Sequence, residues 1–145
     1  MKARRASRQR VLQALYRYRI TGSWESPAQI QASFGASTLD DSGLDAEEDA
    51  PFAALLYQSL TERLDEIDSL IEGASRNWRL DRMAALDHCV LRLATAELLA
   101  RTAPVRVVLN EAVELARTFG ADSSPAFVNG VLDGVMKALN KDQKG

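Results

Sequence analysis

The sequence is poor in cysteine and in long apolar runs, and each shortage excludes a class of protein. Cys89 is the only cysteine, so the chain has no internal disulfide, which fits a reducing cytoplasm. The longest uncharged apolar stretches are short pieces such as PFAALL, far below the roughly 20 residues of a membrane span. The beginning is basic but lacks the apolar stretch and cleavage site of a signal peptide. We therefore expect one cytoplasmic, non-membrane domain over residues 1–145.

Motifs for catalysis and cofactor binding are also missing. None of the eight glycines is spaced as in a phosphate-binding loop. The single histidine, His88, and Cys89 are adjacent and would point about 100° apart on a helix, too few and too divergent for a zinc site. Cys89 is expected to be a small buried apolar residue. Glu97, Glu111 and Glu114 have no paired acid, which favours capping, salt-bridge or interface roles over acid–base catalysis. These features predict neither an enzyme nor a cofactor.

Positive charge, by contrast, is concentrated at the beginning of the chain. Residues 1–19 hold seven Lys or Arg and no acid, whereas the remaining 126 residues hold 11 bases and all 20 acids. The formal net charge of -2 therefore hides a strongly basic end, as contact with a polyanion would require. The other interpretation is an arginine-rich helix face that is simply solvated.

Apolar residues recur at helical spacing along most of the chain, and no stretch alternates with the period of a strand. In the first helix Val11, Leu12, Leu15, Tyr16 and Ile20 form the apolar stripe, and the arginines fall largely outside it, on a side facing solvent or a partner. A short helix is predicted over 27–35, an acidic loop at about 37–49, and helices over 51–72, around 83–94, over 105–119 and after 123. Pro104, Gly120 and Pro125 mark helix ends or beginnings. The prediction is an all-α protein of six or seven helices.

Three segments resemble the NusB family of bacterial transcription antitermination factors: RRASRQRVLQALYRYRITG, LDHCVLRLATAELL and PVRVVLNEAVELARTFGADSSPAFVNGVLD. The last, residues 104–133, is the most specific, because NEAVELA, FG, a serine and FVNGVLD keep the family's order and spacing. The resemblance implies an all-helical, NusB-like domain of two packed helical bundles. It also implies binding to boxA-type single-stranded RNA jointly with ribosomal protein NusE, within the RNA polymerase antitermination complex on ribosomal RNA operons.

The resemblance also implies which residues contact RNA. The expected set combines basic, acidic and aromatic side chains: Arg4, Arg5, Arg8, Arg10, Asp87, Asp122, Ser123 and Phe127. Guanidinium groups pair with phosphates and stack on bases, and an aromatic ring can stack on a base. From spacing alone, Phe127 could equally be core. Asp87 could instead hold an arginine of the first helix, and Tyr16 and Tyr18 could add stacking, with Tyr16 expected in the core.

Some positions depart from the family pattern or stay unassigned. His88 stands where many relatives carry lysine, so one expected positive charge depends on pH. Ala96 stands where relatives commonly carry an aromatic residue. The loop GADSSP keeps the family's serine but has its acidic residue at a different position. Glu111 and Glu114 are candidates for contact with basic NusE. Some relatives form homodimers that cover the RNA surface. The sequence does not decide whether this chain forms a homodimer.

Two other functions remain open at this point. A NusB-like domain also precedes the catalytic domain of a ribosomal RNA cytosine methyltransferase, so the chain could be a fragment of such an enzyme. It holds no cofactor-binding α/β region or catalytic cysteine motif, however. The second alternative is a helical protein–protein adaptor whose arginines bind an acidic partner rather than RNA.

Overall fold

The structure, a computed structural model, describes residues 2–26, 50–75 and 79–144. It contains the α-helices α1 (Lys2–Thr21), α2 (Ala50–Ala74), α3 (Ala85–Ala100), α4 (Val105–Phe119) and α5 (Ser124–Lys144), and a one-turn 3-10 helix, Leu80–Arg82. No strand occurs in these ranges, which confirms the all-α prediction. The expected six or seven helices compare with five α-helices and the 3-10 turn here. The predicted helix at 27–35 and the acidic loop at 37–49 lie outside the described residues.

The chain divides into two compact units, Met1–Gln58 and Ser59–Gly145. The helix α2 contributes its first turns to the first unit and the rest to the second, and its backbone leaves the helical region at Arg63 (φ -119°, ψ 22°). The expectation of one domain over residues 1–145 stays a prediction. Among the helices of the described ranges, none combines the length and apolarity needed to cross a bilayer.

In the first unit, α1 buries most of its predicted apolar stripe. Val11, Leu12 and Leu15 are at most 4% exposed, as predicted. Tyr16 and Ile20 are 44% and 60% exposed, so their expected place in the core is wrong. An apolar period marks a face of a helix, but it does not say how far along that face a neighbour packs.

An aromatic cluster follows the end of α1 in the same unit. The residue after α1 is Gly22, whose φ of +76° suits glycine and whose N–H donates to the Tyr18 carbonyl (2.7 Å). The chain then places the Trp24 ring parallel to Tyr18, with centroids 3.9 Å apart, and edge-on to Tyr57. The Tyr57 hydroxyl donates to the Glu25 carbonyl. This cluster fixes the chain that leaves α1.

The second unit is built around α3. Every residue from 87 to 98 is buried, and α3, α4 and α5 contact one another pairwise. Cys89 is fully buried, which confirms its predicted role as a small apolar residue. At the end of α3 the Thr102 hydroxyl donates to the buried Glu97 carboxylate (2.9 Å), a capping role within the alternatives expected for this acid.

The helix ends around α4 follow the sequence signals. Pro104 precedes the helix and Gly120 follows it, as predicted. Gly120 has φ of -99°, so positive φ is not why glycine stands there. A Cβ at this position would lie 2.6 Å from Ser124 Oγ, and that oxygen accepts the Ala121 N–H (3.0 Å). Close approach of this capping serine therefore requires glycine, and Pro125 lies in the first turn of α5 as expected.

Candidate nucleic-acid interface

The four arginines near the beginning of α1 differ in exposure. We call Arg4, Arg5, Arg8 and Arg10 the arginine face. Arg5 is exposed, Arg4 and Arg10 are half-buried, and Arg8 is only 2% exposed. The prediction that this face is open to solvent is therefore wrong for Arg8. The sequence carried the signal: Arg8 precedes Val11 by three residues and Leu12 by four, so it extends the buried stripe toward the beginning of the helix.

An aromatic ring from α2 organises two of these arginines. Arg4 and Arg8 are one helical turn apart, and their Cζ atoms lie 4.5 Å and 5.1 Å from the centroid of the Phe52 ring. Phe52 itself is 4% exposed. A guanidinium over an aromatic face is stabilised by about 0.5–2 kcal/mol, the larger value applying to desolvated pairs. Sequence reasoning missed Phe52, because a contact across 44 or more residues leaves no local pattern.

The last turns of α1 carry further basic and aromatic residues. Arg17 is exposed and forms a 3.5 Å ion pair with Glu25. Tyr16 is 44% exposed rather than buried, so part of its side chain is open to solvent at this turn. Tyr18 already stacks on Trp24, so one face of its ring is occupied. Of the two tyrosines considered for base stacking, Tyr16 is thus the more accessible.

The remaining predicted RNA contacts lie in the second unit, in two places. Asp87 is in the first turn of α3, 8% exposed, and its Oδ1 has no hydrogen-bond partner within the described part of the chain. Asp122 and Ser123 are exposed in the turn before α5. The Phe127 N–H donates to the Ser123 carbonyl (3.1 Å), and the Phe127 ring is half-buried. The turn 122–123 and Phe127 are therefore held together at the beginning of α5.

His88 does not supply the surface charge expected of it. It is 3% exposed, and its Nε2 lies 3.0 Å from Asp68 Oδ1. Arg92 donates to the same carboxylate through Nε (2.9 Å) and Nη2 (2.8 Å). Burial raises the pKa of Asp68, but the hydrogen bonds from Arg92 and His88 outweigh it and lower the pKa to about 2. This buried cluster joins α2 to α3, and no sequence pattern predicted it.

The two glutamates considered for partner binding are not equivalent. Glu111 is 8% exposed, on the inner side of α4, where its burial counts against contact with a partner. Glu114 is exposed and forms an ion pair with Arg117 one turn further. Glu114 also lines an open groove of about 430 Å³ between α4 and α5, together with Val113 and Pro125. Of the two glutamates, only Glu114 is exposed.

Comparison with known families and proteins extends these observations. Residues 5–137 match the NusB family. The chain is 46% identical to the transcription antitermination protein NusB of Myxococcus xanthus over 142 residues, covering 97% of this chain and 99% of that protein. It is 41% identical to the protein of the same name from Geobacter sulfurreducens, over 96% of this chain and 97% of that protein.

Solved structures are similar as well. T. maritima NusB superposes with a TM-score of 0.73 at 34% identity, covering 92% of this chain and 89% of that one. A structure of antitermination factors NusB and NusE in complex with double-stranded RNA gives a TM-score of 0.75 at 26% identity, with 95% and 98% covered. The fold and the sequence thus agree on the same relatives.

Proposed function

This chain belongs to the NusB family, and on that premise we propose that it is a transcription antitermination factor that binds boxA-type RNA together with NusE. It acts as a binding protein rather than an enzyme. In the antitermination complex it would help RNA polymerase transcribe ribosomal RNA operons without premature termination, and its place of action is the cytoplasm. The observation that carries this proposal is the similarity, over nearly the whole chain, to a NusB solved together with NusE and RNA.

The arginine face supplies the electrostatic part of RNA binding. Arg5 is exposed and Arg4 and Arg10 are half-buried, so these three are the direct phosphate contacts of the proposal. Arg8 is only 2% exposed, so in this proposal it does not touch the RNA and acts indirectly, by helping to position its neighbours on α1. Neutralising about three phosphates of a single strand gives a slope of log K against log salt near -2. Modest affinity follows, which suits a protein that binds RNA together with a partner.

The second-unit residues supply selectivity in this proposal. Phe127, half-buried, offers one ring edge or face to a base, and stacking of that kind contributes about 1–3 kcal/mol. The exposed Asp122 and Ser123 can accept hydrogen bonds from base edges, and Ser123 can also donate one. The Asp87 Oδ1 is buried without a partner among the described residues, so a base would reach it only if the beginning of α3 rearranged on RNA binding.

For the partner surface we propose the groove between α4 and α5 that Glu114 lines. The groove is lined by both polar and apolar side chains, and Arg117 in its lining is the ion-pair partner of Glu114. In this proposal Glu114 exchanges that pair for one with a basic group of NusE, and Val113, Pro125 and Ala126 accept an apolar side chain. Glu111 is buried on the same helix and is not part of the proposed partner surface.

A gel-shift titration tests the function directly. The chain is titrated into labelled boxA RNA at 50 mM and 200 mM salt, with and without NusE, and each series is repeated with a scrambled single strand and with a duplex. We expect weak binding alone, weaker at 200 mM salt, and tighter binding with NusE, with boxA preferred over the scrambled strand. If NusE bound the chain but RNA of every kind was left free, the chain would be a protein–protein adaptor instead.

A further inference from the structure

The arginine face is held in place by an apolar residue of another helix. Arg4 and Arg8 follow each other at a spacing of four, which puts them on one side of α1. Both guanidinium groups lie within 5.1 Å of the same ring, that of Phe52 in the first turn of α2. Two like charges on neighbouring turns repel each other, and the negative face of one aromatic ring attracts both. The Phe52 ring therefore offsets the repulsion between two guanidinium groups that the helix already places side by side.

The two arginines differ in what they can reach. Arg8 is 2% exposed and Phe52 is 4% exposed, so these two side chains form a buried contact beneath the exposed part of the arginine face. Arg4 is half-buried on the same ring, and Arg5, the next residue, is exposed. An unrestrained arginine side chain loses much rotamer freedom when it binds a phosphate, and one already fixed against a ring has less to lose.

We infer that Phe52 is a positioning residue for RNA binding: with Arg8 as the buried anchor, its ring orients the Arg4 guanidinium for contact with the nucleic acid. The inference rests on the proposed function. Arg4, Arg8 and Phe52 make further interactions as well, so the ring is one of several restraints and its removal should weaken binding moderately.

A double-mutant cycle on boxA RNA affinity, measured with NusE present, tests the inference. Phe52→Leu removes the aromatic face but keeps an apolar side chain, Phe52→Tyr keeps the ring, and Arg4→Ala removes the oriented group. We expect Phe52→Leu to raise Kd about threefold to tenfold and Phe52→Tyr to stay within about twofold of the wild type. Because Phe52 acts through Arg4, the double variant should bind no more weakly than Arg4→Ala alone.

Loss of stability needs a separate control, since Phe52 is a core residue. Leu15→Val truncates a fully buried side chain two turns beyond Arg8 on α1 and should lower the melting temperature while leaving Kd unchanged. The guanidinium Nε–H resonance of Arg4 should move in the NMR spectrum of Phe52→Leu, because the ring current is lost, but not in that of Leu15→Val. A structural role alone would not give this spectroscopic change together with non-additive affinities.

The outcomes separate this inference from the function beneath it. If the wild type bound RNA and Arg5→Ala weakened that binding while Phe52→Leu bound normally, the positioning role would be refuted and the function kept. Multiplicative effects of Phe52→Leu and Arg4→Ala would also refute it. If the wild type failed to bind RNA with NusE present, both would fall together.

Discussion

Asp68 shows how a single carboxylate can hold two buried basic side chains, Arg92 and His88. Its carboxylate accepts two hydrogen bonds from Arg92 and one from His88, and the three side chains come from α2 and α3. Arg92 and His88 are 6% and 3% exposed, so neither can turn to water if the carboxylate is lost. A buried pair of this kind contributes little beyond an apolar pair, but breaking it is costly.

We therefore expect Asp68→Asn to lower the free energy of unfolding at pH 7 by about 3 kcal/mol, because the buried Arg92 keeps its charge but loses the Asp68 carboxylate. The folded pKa of about 2 lies below the ordinary value of 3.8, so the contribution of Asp68 is present above about pH 4 and is lost as pH falls toward 2. The stability difference between wild type and variant should shrink over that window. Urea denaturation at several pH values measures it.

Asp65→Asn is the matched control, since Asp65 is an exposed acid on the same helix. It should change stability by less than about 0.5 kcal/mol at every pH. If the two substitutions changed the free energy of unfolding equally at pH 7, the contacts of Asp68 with Arg92 and His88 would not be the source of the stability loss.

Sequence reasoning at this scale succeeded where a residue follows its own helix period and failed where a contact is distant in sequence. Cys89 was correctly predicted to be buried, because it sits among apolar neighbours at helical spacing. Arg8 could have been predicted too, from its place on the stripe of Val11 and Leu12. The pairing of His88 with Asp68, 20 residues away, and of Arg8 with Phe52 could not, because nothing in a local window encodes them.

At the scale of elements, glycine positions decide how closely helices approach. In the second unit, Gly134 of α5 faces Ala74 at the end of α2: a Cβ on Gly134 would lie 2.9 Å from the Ala74 Cβ. Gly130, one turn earlier on α5, has open space where its Cβ would be. The two glycines share a helix but not an environment, which gives a direct test of helix packing.

We expect Gly134→Ala to destabilise the protein by about 1–3 kcal/mol, because the added methyl group forces the helices apart. Gly130→Ala should instead stabilise it by about 0.5–1 kcal/mol, since alanine favours the helix and meets no neighbour. Thermal and urea unfolding of the two variants measure both effects. A stabilised Gly134→Ala variant would contradict the close packing of α5 on Ala74.

The helices themselves were largely predictable, because their ends carry explicit signals. Pro104, Gly120 and Pro125 lie where the sequence placed them, at the ends and beginnings of α4 and α5. The extent of burial was less predictable from sequence. Val105 and Phe119, two apolar residues of α4, are 42% and 51% exposed, whereas Leu115 and the charged Glu111 are buried. The irregular backbone at Arg63 has no proline or glycine to announce it. The period of apolar residues predicts which face of a helix packs inward, and tertiary packing decides how much of that face is buried.

At the scale of the whole molecule, the uneven distribution of charge is the link between sequence and function. An acidic chain with a basic first helix can bind a polyanion at that helix and repel it elsewhere. The NusB-like fold was predicted from the resemblance of three sequence motifs, and the positive charge of α1 supplied a physical reason to expect RNA binding. The exposure of the individual arginines required the structure: Arg4, Arg5 and Arg10 reach the surface, whereas Arg8 is buried. On that basis we proposed the first three as phosphate contacts.

The most direct test of this account is the salt dependence of boxA RNA binding for the wild type and for the double variant Arg5→Ala/Arg10→Ala, with melting temperatures as the control. We predict a slope of log K against log salt near -2 for the wild type and about -0.7 for the variant, since two of about three phosphate contacts are removed. The melting temperatures should agree within about 2 °C. Identical slopes for the two proteins would contradict the claim that the arginine face of α1 binds RNA.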